Sequence, residues 1–568
     1  MTTITGAQAV VNCLREEGVK TIFGYPGGAV IDLYDELMDA TDLEHILVRH
    51  EQAAVHAADG YARATGEVGV ALLTSGPGAT NGVTGIATAY LDSIPIVILT
   101  GQVPTPLIGN DAFQEVDIVG ITRPCTKHNF LVNRKEDLVQ VMREAFHIAR
   151  TGRPGPVLVD LPKDLIKAQV KFDDKKPLRM QSYQPNYEPH PGQIAKAGEL
   201  ITQSQRPVLY VGGGVILSDG YQELRDLAKL LNMPVTMTLM GLGSYPGDDD
   251  LSMGMLGMHG TYTANMAVSQ CDLLISVGAR FDDRVTGTLE TFAPHAKIIH
   301  IDIDPTSISK NVKVDVPLVS DCKRALAELL KWFQNSSSTV SEFRGEAFSD
   351  WHAQINSWKE AHPLTYQKDD SDIIKPQYVV EMLDELTNGE AIITTEVGQN
   401  QMWAAQFYRY AHPRHFLTSG GLGTMGYGFP AAIGAKMAMP EKTVIDIAGD
   451  ASIQMCIQEL ATVKQYNCPI KIAILNNQFL GMVRQWQELF YEKRYASTVM
   501  DVAPDFVALA EAYGAVGLRA TKKSDVKAVI QEALSTDNTV LMDFEISREE
   551  GVYPMVPAGK ATTEMLLV

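Results

Sequence analysis

Two stretches of the chain repeat one pattern: an apolar strand, a turn containing glycine, a helix and, after a proline, a second apolar strand. They are "VALLTSGPGATNGVTGIATAYLDSIPIVILTGQ" at 70–102 and "TVIDIAGDASIQMCIQELATVKQYNCPIKIAILNN" at 443–477. Strands joined through a helix run parallel in one sheet, so the pattern predicts parallel sheets covered by helices. The repeat favours two related doubly wound domains. Any two βαβ units would look alike in this way, so unrelated units stay an alternative.

The chain of 568 residues is too long for a single hydrophobic core. Polar stretches at 173–192 and 334–350 are typical of linkers and divide it into three blocks. The middle block begins with "RPVLYVGGGVILSDGYQELRDLAKLLNMPV" at 206–235, which predicts a strand, a glycine-rich turn, a helix and the start of a second strand. We therefore predict an α/β chain with three doubly wound parallel-sheet domains. Their predicted ranges are 1–170, 190–333 and 370–550, followed by a tail at 551–568.

Composition excludes several classes of function. The net charge of −20 disfavours binding to nucleic acid or to anionic membranes. The six cysteines form no C-x-x-C pair, which is typical of reduced core cysteines in a cytosolic protein. The first 20 residues form an amphipathic helical pattern rather than a secretion signal, and no apolar run reaches about 18 residues. We expect a cytoplasmic protein with neither a nucleic-acid nor a membrane partner.

A Gly-Asp pair and an Asn-Asn pair follow the two predicted strands of the second repeat. Asp450 lies just beyond the predicted strand at 443–448, and Asn477 lies just beyond the predicted strand at 470–475. A helix is predicted over 452–466. In neighbouring parallel strands the two side chains would converge at one sheet edge, where ligands bind. Carboxylate and amide oxygens suit Mg²⁺, and the N–H groups of Ala451 and Ser452 would face phosphate from a helix start. The alternative is a helix N-cap and a turn residue.

This arrangement resembles the thiamine diphosphate (ThDP) motif, in which Gly-Asp is followed by Asn-Asn. Ala451 stands where that motif usually has glycine. The resemblance implies that Asp450, Asn477 and the carbonyl of Phe479 hold the metal. It also implies a glutamate that hydrogen-bonds the aminopyrimidine of the cofactor. Glu51 is the candidate, because it follows an apolar strand and opens a predicted helix; placement for the helix dipole is the alternative.

Segments in the middle block extend the resemblance to nearly the whole chain. The segments "VGGGV", "TLMG", "LGMHG", "GARFDDRVTG" and "IDID", in this order between 211 and 304, are similar to flavin-binding segments of acetohydroxyacid (acetolactate) synthases. The likeness is to the large catalytic subunit of the anabolic, FAD-containing type. It implies FAD contacts at Arg153, Gly212, Gly213, Gly214, Thr238, Leu239, Met240, Leu256, Gly257, Met258, His259, Gly278, Arg280, Asp282, Arg284, Asp302, Ile303 and Asp321.

The same resemblance implies a ThDP site and substrate-side residues. The ThDP contacts would be Gly27, Glu51, Gly398, Gln399, Asn400, Gly423, Met425, Ala451, Ser452 and Met482. Met425 would support the bent cofactor, and Asn400 replaces the usual histidine of the family. The residues at the reaction centre would be Glu51, Gln114, Lys163 and Trp486. On periodicity alone, Met482, Val483 and Trp486 form one apolar helix face, for which a place in the core is the alternative. We expect His50 and His56 to be structural.

The resemblance implies a defined reaction and partners. Pyruvate would be decarboxylated and joined to pyruvate or 2-ketobutyrate in branched-chain amino acid biosynthesis. The site would lie at the interface of a homodimer or larger homo-oligomer, with a separate small regulatory subunit. Pyruvate oxidase and the FAD-free catabolic acetolactate synthase are competing interpretations. Glyoxylate carboligase is disfavoured because its family lacks the activating glutamate. A non-catalytic flavin- or nucleotide-binding protein is the alternative from another class.

Overall fold

The computed structural model describes residues 2–173, 178, 180–335, 348–368 and 371–568. Most of the predicted linker at 334–350, and residues 174–177 and 179 of the linker at 173–192, lie outside this description.

Three parallel sheets of six strands each carry the fold. A short antiparallel ribbon of β1 and β8 accompanies the first sheet. The N-terminal strands are β1 (Thr2–Thr5), β2 (Thr21–Gly24), β3 (Glu44–Leu47), β4 (Gly69–Leu73), β5 (Ile96–Gln102), β6 (His128–Leu131), β7 (Val157–Pro162) and β8 (Gln169–Phe172). The middle strands are β9 (Pro207–Val211), β10 (Val235–Met237), β11 (Ser252–Met255), β12 (Leu273–Val277), β13 (Lys297–Asp302) and β14 (Val316–Val319). The C-terminal strands are β15 (Ile392–Thr395), β16 (Phe416–Leu417), β17 (Val444–Gly449), β18 (Lys471–Asn476), β19 (Val516–Ala520) and β20 (Val540–Glu545).

The helices alternate with these strands along the chain. Those of the first domain are Gly6–Glu16, Ile31–Asp39, Glu51–Thr65, Pro77–Asn81, Val83–Asp92, Ile118–Thr122, Leu138–Arg150 and Lys163–Lys167. Those of the middle domain are Pro191–Gln203, Gly213–Leu217, Tyr221–Leu231, Tyr262–Gln270, Asp283–Thr286 and Cys322–Asn335. Those that follow are Ser349–Ala361, Pro376–Thr387, Gln399–Phe407, Gly428–Ala438, Leu460–Gln465, Gly481–Phe490, Phe506–Ala512 and Lys523–Ser535.

The first and third sheets have the same strand order. It is β3-β2-β4-β5-β7-β6 in one and β16-β15-β17-β18-β20-β19 in the other. Counted from its own first strand, each sheet follows 2-1-3-4-6-5, whereas the middle sheet, β11-β10-β9-β12-β13-β14, follows 3-2-1-4-5-6. The predicted fold class of three doubly wound α/β domains is confirmed. The shared order also supports the interpretation of the sequence repeat as two related domains.

Corresponding helices of the two outer domains pack against each other. Helix Glu51–Thr65 lies on helix Gly428–Ala438, and each follows the second strand of its sheet. A Cβ added to Gly60 would lie 2.2 Å from the carbonyl oxygen of Ala431. One added to Gly434 would lie 1.9 Å from the carbonyl oxygen of Ala57. The backbones therefore approach at a distance that only glycine allows, and this contact fixes one outer domain against the other.

Two predicted helices are wrong in detail. The segment at 452–466 begins with two 3-10 turns, and its α-helix starts only at Leu460. In this turn, side chains take up backbone groups that a regular helix would use. The Ser452 hydroxyl accepts from Gly449 N, and the Gln454 amide donates to the Asp450 carbonyl. In the middle domain the helix after the glycine-rich turn stops at Leu217, since Asp219 adopts a left-handed backbone conformation.

Candidate active site

Asp450 and Asn477 meet at the carboxyl edge of the C-terminal sheet. Strands β17 and β18 pair in parallel with Gly449 opposite Leu475, so both residues lie just beyond paired strand ends. The backbone N–H of Asn477 donates to Asp450 Oδ1 at 3.4 Å. Asp450 Oδ2 is buried and has no hydrogen-bond partner among the described residues. Burial raises the pKa of this carboxyl to about 7. A buried carboxylate oxygen without a partner is suited to binding a cation.

The second asparagine of the pair, rather than the first, faces this point. Asn477 donates to Gln399 Oε1 at 3.2 Å, and its own Oδ1 accepts from the N–H of Phe479 at 3.0 Å. Asn476 instead donates to Asp543 on the neighbouring strand β20. The described residues contain no group of three or more His, Cys, Asp or Glu side chains that could hold a metal. A cation here would therefore take further ligands from carbonyl, phosphate or water oxygens.

A cavity of about 760 Å³ extends from this point into the middle domain. Its lining includes many of the residues predicted for ThDP and metal: Gly398, Gln399, Asn400, Gly423, Met425, Asp450, Ala451, Ser452, Asn477, Phe479 and Met482. It also includes many of the residues predicted for FAD: Gly212, Gly213, Thr238, Leu239, Met240, Leu256, Met258, His259, Gly278, Arg280, Asp282 and Arg284. The two predicted sets thus line one continuous space between two domains.

The remaining predicted FAD residues do not line this cavity. They are Arg153, Gly214, Gly257, Asp302, Ile303 and Asp321. Arg153 donates to Ser93 Oγ and pairs with Asp304 at 3.0 Å. Gly214 packs on Gly278, where a Cβ would lie 2.7 Å from the Gly278 Cα. Asp302 and Asp321 accept from nearby backbone N–H groups, as turn residues do. Ile303 follows β13 and is half-buried.

Glu51 heads a second cluster, in the N-terminal domain. It is the first residue of helix Glu51–Thr65, as predicted, and is 9% exposed. Its Oε2 accepts from the Asn81 amide at 2.9 Å. A Cβ added to Gly78 would lie 3.2 Å from Glu51 Oε1, so the glycine leaves space over the carboxylate. Thr74 Oγ1 is buried beside it with no partner in the described chain. Thr74, Gly78 and Asn81 were not predicted as neighbours of Glu51, although all three belong to the turn and helix after β4.

Three other predicted residues lie around the same edge of this domain. Gly27 packs on Thr74, and Lys163 Nζ donates to the Gly28 carbonyl at 2.7 Å. The backbone of Gln114 lies against Gly76. None of Gly27, Glu51, Gln114 and Lys163 lines the large cavity of the same chain. The residues predicted for ThDP, the metal and the reaction centre therefore fall into two groups, one at each outer domain.

Helix Gly481–Phe490 borders the cavity with the face that includes Met482, Val483 and Trp486. Val483 is 51% exposed and Trp486 is half-buried, so this face is not enclosed in the core, although Met482 packs against core residues. The buried residues of the helix are Arg484 and Gln485. The apolar face is therefore available for contact with a ligand.

Local contacts decide the roles of three further residues. Asn400, in place of the family histidine, donates its amide to the Glu396 and Ile447 carbonyls at 2.9 and 2.8 Å, so it braces the turn rather than offering those N–H groups to a ligand. His50 accepts from Gln52 N as a helix N-cap. His56 is fully buried, and burial lowers its pKa to about 3. These contacts are consistent with the structural roles that the sequence predicts for both histidines.

Comparisons with known proteins agree with this geometry. Profiles of the thiamine pyrophosphate enzyme N-terminal TPP binding domain, central domain and C-terminal TPP binding domain match residues 4–121, 194–329 and 396–544. Among the described residues no helix is both long and apolar enough to cross a membrane.

Curated relatives match along the whole chain. The acetolactate synthase large subunit of Haemophilus influenzae is 51% identical over 570 residues, covering 100% of this chain and 99% of that protein. The acetolactate synthase isozyme 3 large subunit of Escherichia coli is 50% identical over 574 residues, with the same coverage. The probable acetolactate synthase large subunit of Methanocaldococcus jannaschii is 50% identical over 571 residues, covering 99% of this chain and 95% of that protein. With two TPP-binding domains around a central domain, the chain belongs to the acetolactate synthase large-subunit family of thiamine-pyrophosphate-dependent enzymes.

Proposed function

We propose that this chain decarboxylates pyruvate and joins the remaining two-carbon unit to the keto carbon of a second 2-keto acid. With pyruvate as acceptor the product is 2-acetolactate, and with 2-ketobutyrate it is 2-aceto-2-hydroxybutyrate; CO₂ is released in both cases. This would be the carbon–carbon bond-forming step for valine, leucine and isoleucine in the cytoplasm. The observation that carries the proposal is the partnerless Asp450 Oδ2 beside Asn477, at the end of a large cavity lined by a TPP-binding domain.

The residues present fit Mg²⁺ and a diphosphate. Asp450, Asn477 and the Phe479 carbonyl supply hard oxygen ligands, and Ser452 and Ala451 line the adjoining turn. Gly398 has a φ of 155°, a conformation suited to glycine, and it leaves this wall of the cavity open. ThDP, when bound, supplies the electron sink for decarboxylation and the carbon nucleophile for the new bond. The protein supplies binding, orientation and exclusion of water.

Glu51 is proposed to hold and move the proton that activates the cofactor. Asn81 fixes one carboxylate oxygen of Glu51, and the space over Gly78 leaves the other oxygen accessible to an aminopyrimidine nitrogen. General acid–base groups of this kind contribute about 10²–10⁴-fold to a rate. We further propose that Gln114 and Lys163 contact substrate from the same domain, and that Trp486 limits the space for the second 2-keto acid.

Glu51 does not line the large cavity of its own chain, so we propose that a second copy completes each site. The residues around Glu51 of one subunit would then face Asp450 and Asn477 of the other. Phe113 stands next to Gln114 and is 88% exposed in the single chain, so its ring is available for contact with a second copy. The relatives are named large subunits, and we propose a separate small regulatory subunit for this chain also.

FAD is proposed for the middle-domain part of the cavity. Gly212, Gly213 and Gly278 keep its floor open, and Arg280 and Arg284 are suited to phosphate because a guanidinium can donate two hydrogen bonds. We propose that the flavin leaves no net redox change in the carboligation. That point separates the proposal from a flavin-dependent pyruvate oxidase.

A product assay tests the proposal. Purified protein would be incubated with ThDP, Mg²⁺, FAD and pyruvate, with and without 2-ketobutyrate, under argon and in air. The E51Q protein, loaded with the same cofactors, is the matched control. We expect equal formation of acetolactate under both gases, acetohydroxybutyrate when 2-ketobutyrate is present, and little of either from the control.

Other outcomes would contradict the proposal. Oxygen consumption with acetate or acetyl phosphate as product would indicate an oxidase. Bound FAD without product, even after a small-subunit partner from one of the relatives is added, would indicate a binding protein.

A further inference from the structure

A glycine-rich loop, residues 419–427, carries part of the proposed cofactor site. It connects β16 to helix Gly428–Ala438, and both Gly423 and Met425 line the cavity. The loop is exposed from Gly420 to Gly423. A segment with this much glycine has many accessible backbone conformations. Other parts of the molecule must therefore hold Gly423 and Met425 in position.

Asp92, from the other outer domain, holds the first half of the loop. Its Oδ1 accepts from Gly421 N at 2.7 Å, and its Oδ2 accepts from Gly420 N at 3.1 Å. A Cβ added to Gly421 would lie 2.9 Å from Asp92 Oδ1, so this approach requires glycine. The Asp92 side chain is fully buried. Two backbone N–H groups of one domain thus depend on a single carboxylate of the other.

Arg63 fixes the orientation of that carboxylate. Its guanidinium donates to Asp92 Oδ2 at 2.8 Å and to Asp59 Oδ1 at 2.5 Å, and the arginine side chain is 6% exposed. The Tyr427 hydroxyl, at the far end of the loop, donates to the same Asp59 oxygen at 2.6 Å. Charge-assisted bonds away from water are stronger than neutral ones and are directional. The network therefore joins both ends of the loop to helix Glu51–Thr65 and to Asp92.

Two other contacts complete the support. The hydroxyls of Thr88 and Thr424 lie 2.7 Å apart, which adds a further contact from the N-terminal domain. From the C-terminal domain, Glu396 accepts from the N–H groups of Gly426 and Phe429 at 2.5 and 3.1 Å. The N-terminal domain thus holds the loop on both sides of Met425, and the C-terminal domain adds support after it.

We propose that Asp92 is a positioning residue for the reaction: its carboxylate, oriented by Arg63, sets the glycine-rich loop so that Gly423 and Met425 hold the cofactor in its reactive geometry. The inference rests on the proposed function, because it assigns the ThDP contacts to this loop. Asp92 itself is not among the residues that line the cavity. It acts through the loop, and it couples the packing of the two outer domains to activation of the cofactor.

The test compares D92N with D384N in the holoenzyme. Asp384 is buried and accepts from the guanidinium and backbone N–H of Arg409, so it resembles Asp92 in chemistry but does not touch the loop. Hydrogen–deuterium exchange at the thiazolium C2 of protein-bound ThDP would be measured by NMR after acid quench, beside kcat, KM for pyruvate, and Tm. Exchange at C2 needs neither pyruvate nor product formation.

We expect D92N to slow C2 exchange and kcat in parallel, by at least about tenfold, because displacements of about 1 Å at a reaction centre can cost up to 10²-fold. KM for pyruvate should change little. D384N should lower Tm as well and leave C2 exchange unchanged. Equal exchange in D92N and D384N would overturn the proposal.

A second variant covers the case in which D92N does not fold. R63K keeps a positive charge beside Asp92 and removes the fixed fork of the guanidinium that orients the carboxylate. Slower C2 exchange in R63K supports the proposal; wild-type exchange in R63K overturns it.

Failure of the proposed function gives a different result. If wild-type protein exchanges the C2 proton and forms no acetolactate, the proposed function fails, and the variants still decide the role of Asp92. If wild-type protein binds ThDP without exchange, both fail.

Discussion

The two outer domains share one strand order and carry different chemistry at the same edge of the sheet. In the N-terminal domain the acid follows the second strand, since Glu51 comes after β3, and the turn after the third strand β4 holds Thr74 and glycines. In the C-terminal domain the acid that follows the third strand β17 is Asp450. Glu51 has an amide partner at Asn81, whereas one buried oxygen of Asp450 has no hydrogen-bond partner in the described part of the chain.

The two carboxylates are suited to different steps in the binding and activation of one cofactor. A carboxylate held by a neutral donor and left partly accessible is suited to moving a proton. A buried carboxylate without a partner is unfavourable until a cation neutralises it. The strand order alone gives both domains a ligand-binding edge. The residues after each strand decide which part of the cofactor each domain would serve.

We expect the greatest loss of turnover from a substitution of Glu51 in the N-terminal domain. E51Q keeps the shape of the side chain and removes its basicity, so turnover should fall by about 10²–10⁴-fold. ThDP affinity, measured by fluorescence quenching at saturating Mg²⁺, should stay within a few-fold of wild type. E44Q, at an exposed glutamate on β3 of the same domain, is the matched control and should behave as wild type. A rate near normal in E51Q would contradict the proton-transfer role.

A substitution of Asp450 in the C-terminal domain should weaken binding of the cofactor. D450A removes the oxygen without a partner, so Mg²⁺-dependent ThDP binding should weaken by at least about a hundredfold, beyond the 10–100-fold typical of outer-shell changes at metal sites. Isothermal titration with and without Mg²⁺ measures this. N476A is the control, because Asn476 donates to Asp543 and should affect stability rather than the metal. Unchanged affinity in D450A would remove Asp450 from the metal site.

A smaller effect concerns the apolar helix face at the C-terminal domain. W486L enlarges the space beside Met482 and Val483, so the preference for 2-ketobutyrate over pyruvate as acceptor should fall about tenfold, the size of effect that such pocket changes produce. Competition between the two acceptors, with both products quantified, measures it. F490L is the control, since Phe490 lies against Trp486 with its ring centroid 5.7 Å away and does not line the cavity. An equal shift in both variants would point to helix packing instead.

The sequence predicted the fold class because strands that alternate with amphipathic helices allow few architectures. It also predicted the meeting of Asp450 and Asn477, because neighbouring parallel strands end at one edge. It did not predict the break of the helix at 452–466, since the bonds of Ser452 and Gln454 to the turn depend on local geometry.

Asn81, Asp92 and Glu396 were also missed. Each acts on a residue far away in the chain, so spacing carries no signal for them; Glu396 could have been noticed as an acid directly after an apolar strand. The predicted domain ranges and site roles stay predictions.

The weakest effect we expect is on the pH dependence of stability, to which buried acids of both outer domains contribute. Burial raises the pKa of Glu396, which interacts with the likewise buried Asp446, and in the N-terminal domain burial raises the pKa of Asp160 to about 7. A carboxyl with a folded-state pKa above its unfolded value is ionised first in the unfolded chain. The unfolded chain then holds fewer protons, and stability falls as pH rises from about 4.5 to 7.

E396Q should therefore flatten the decline of Tm between pH 5 and 7 in cofactor-free protein, by the equivalent of on the order of 1 kcal/mol per pH unit. The slope is the readout, because the absolute Tm also reflects the bonds that Glu396 accepts from Gly426 and Phe429. D160N should also flatten the decline of Tm, because it removes the other buried carboxyl. The two side chains that donate to Asp160, Thr100 and Gln102, do not titrate. Slopes parallel to wild type in both variants would mean that neither acid is protonated in the folded protein. A change in E396Q alone would confine the buried proton to the domain that holds the glycine-rich loop.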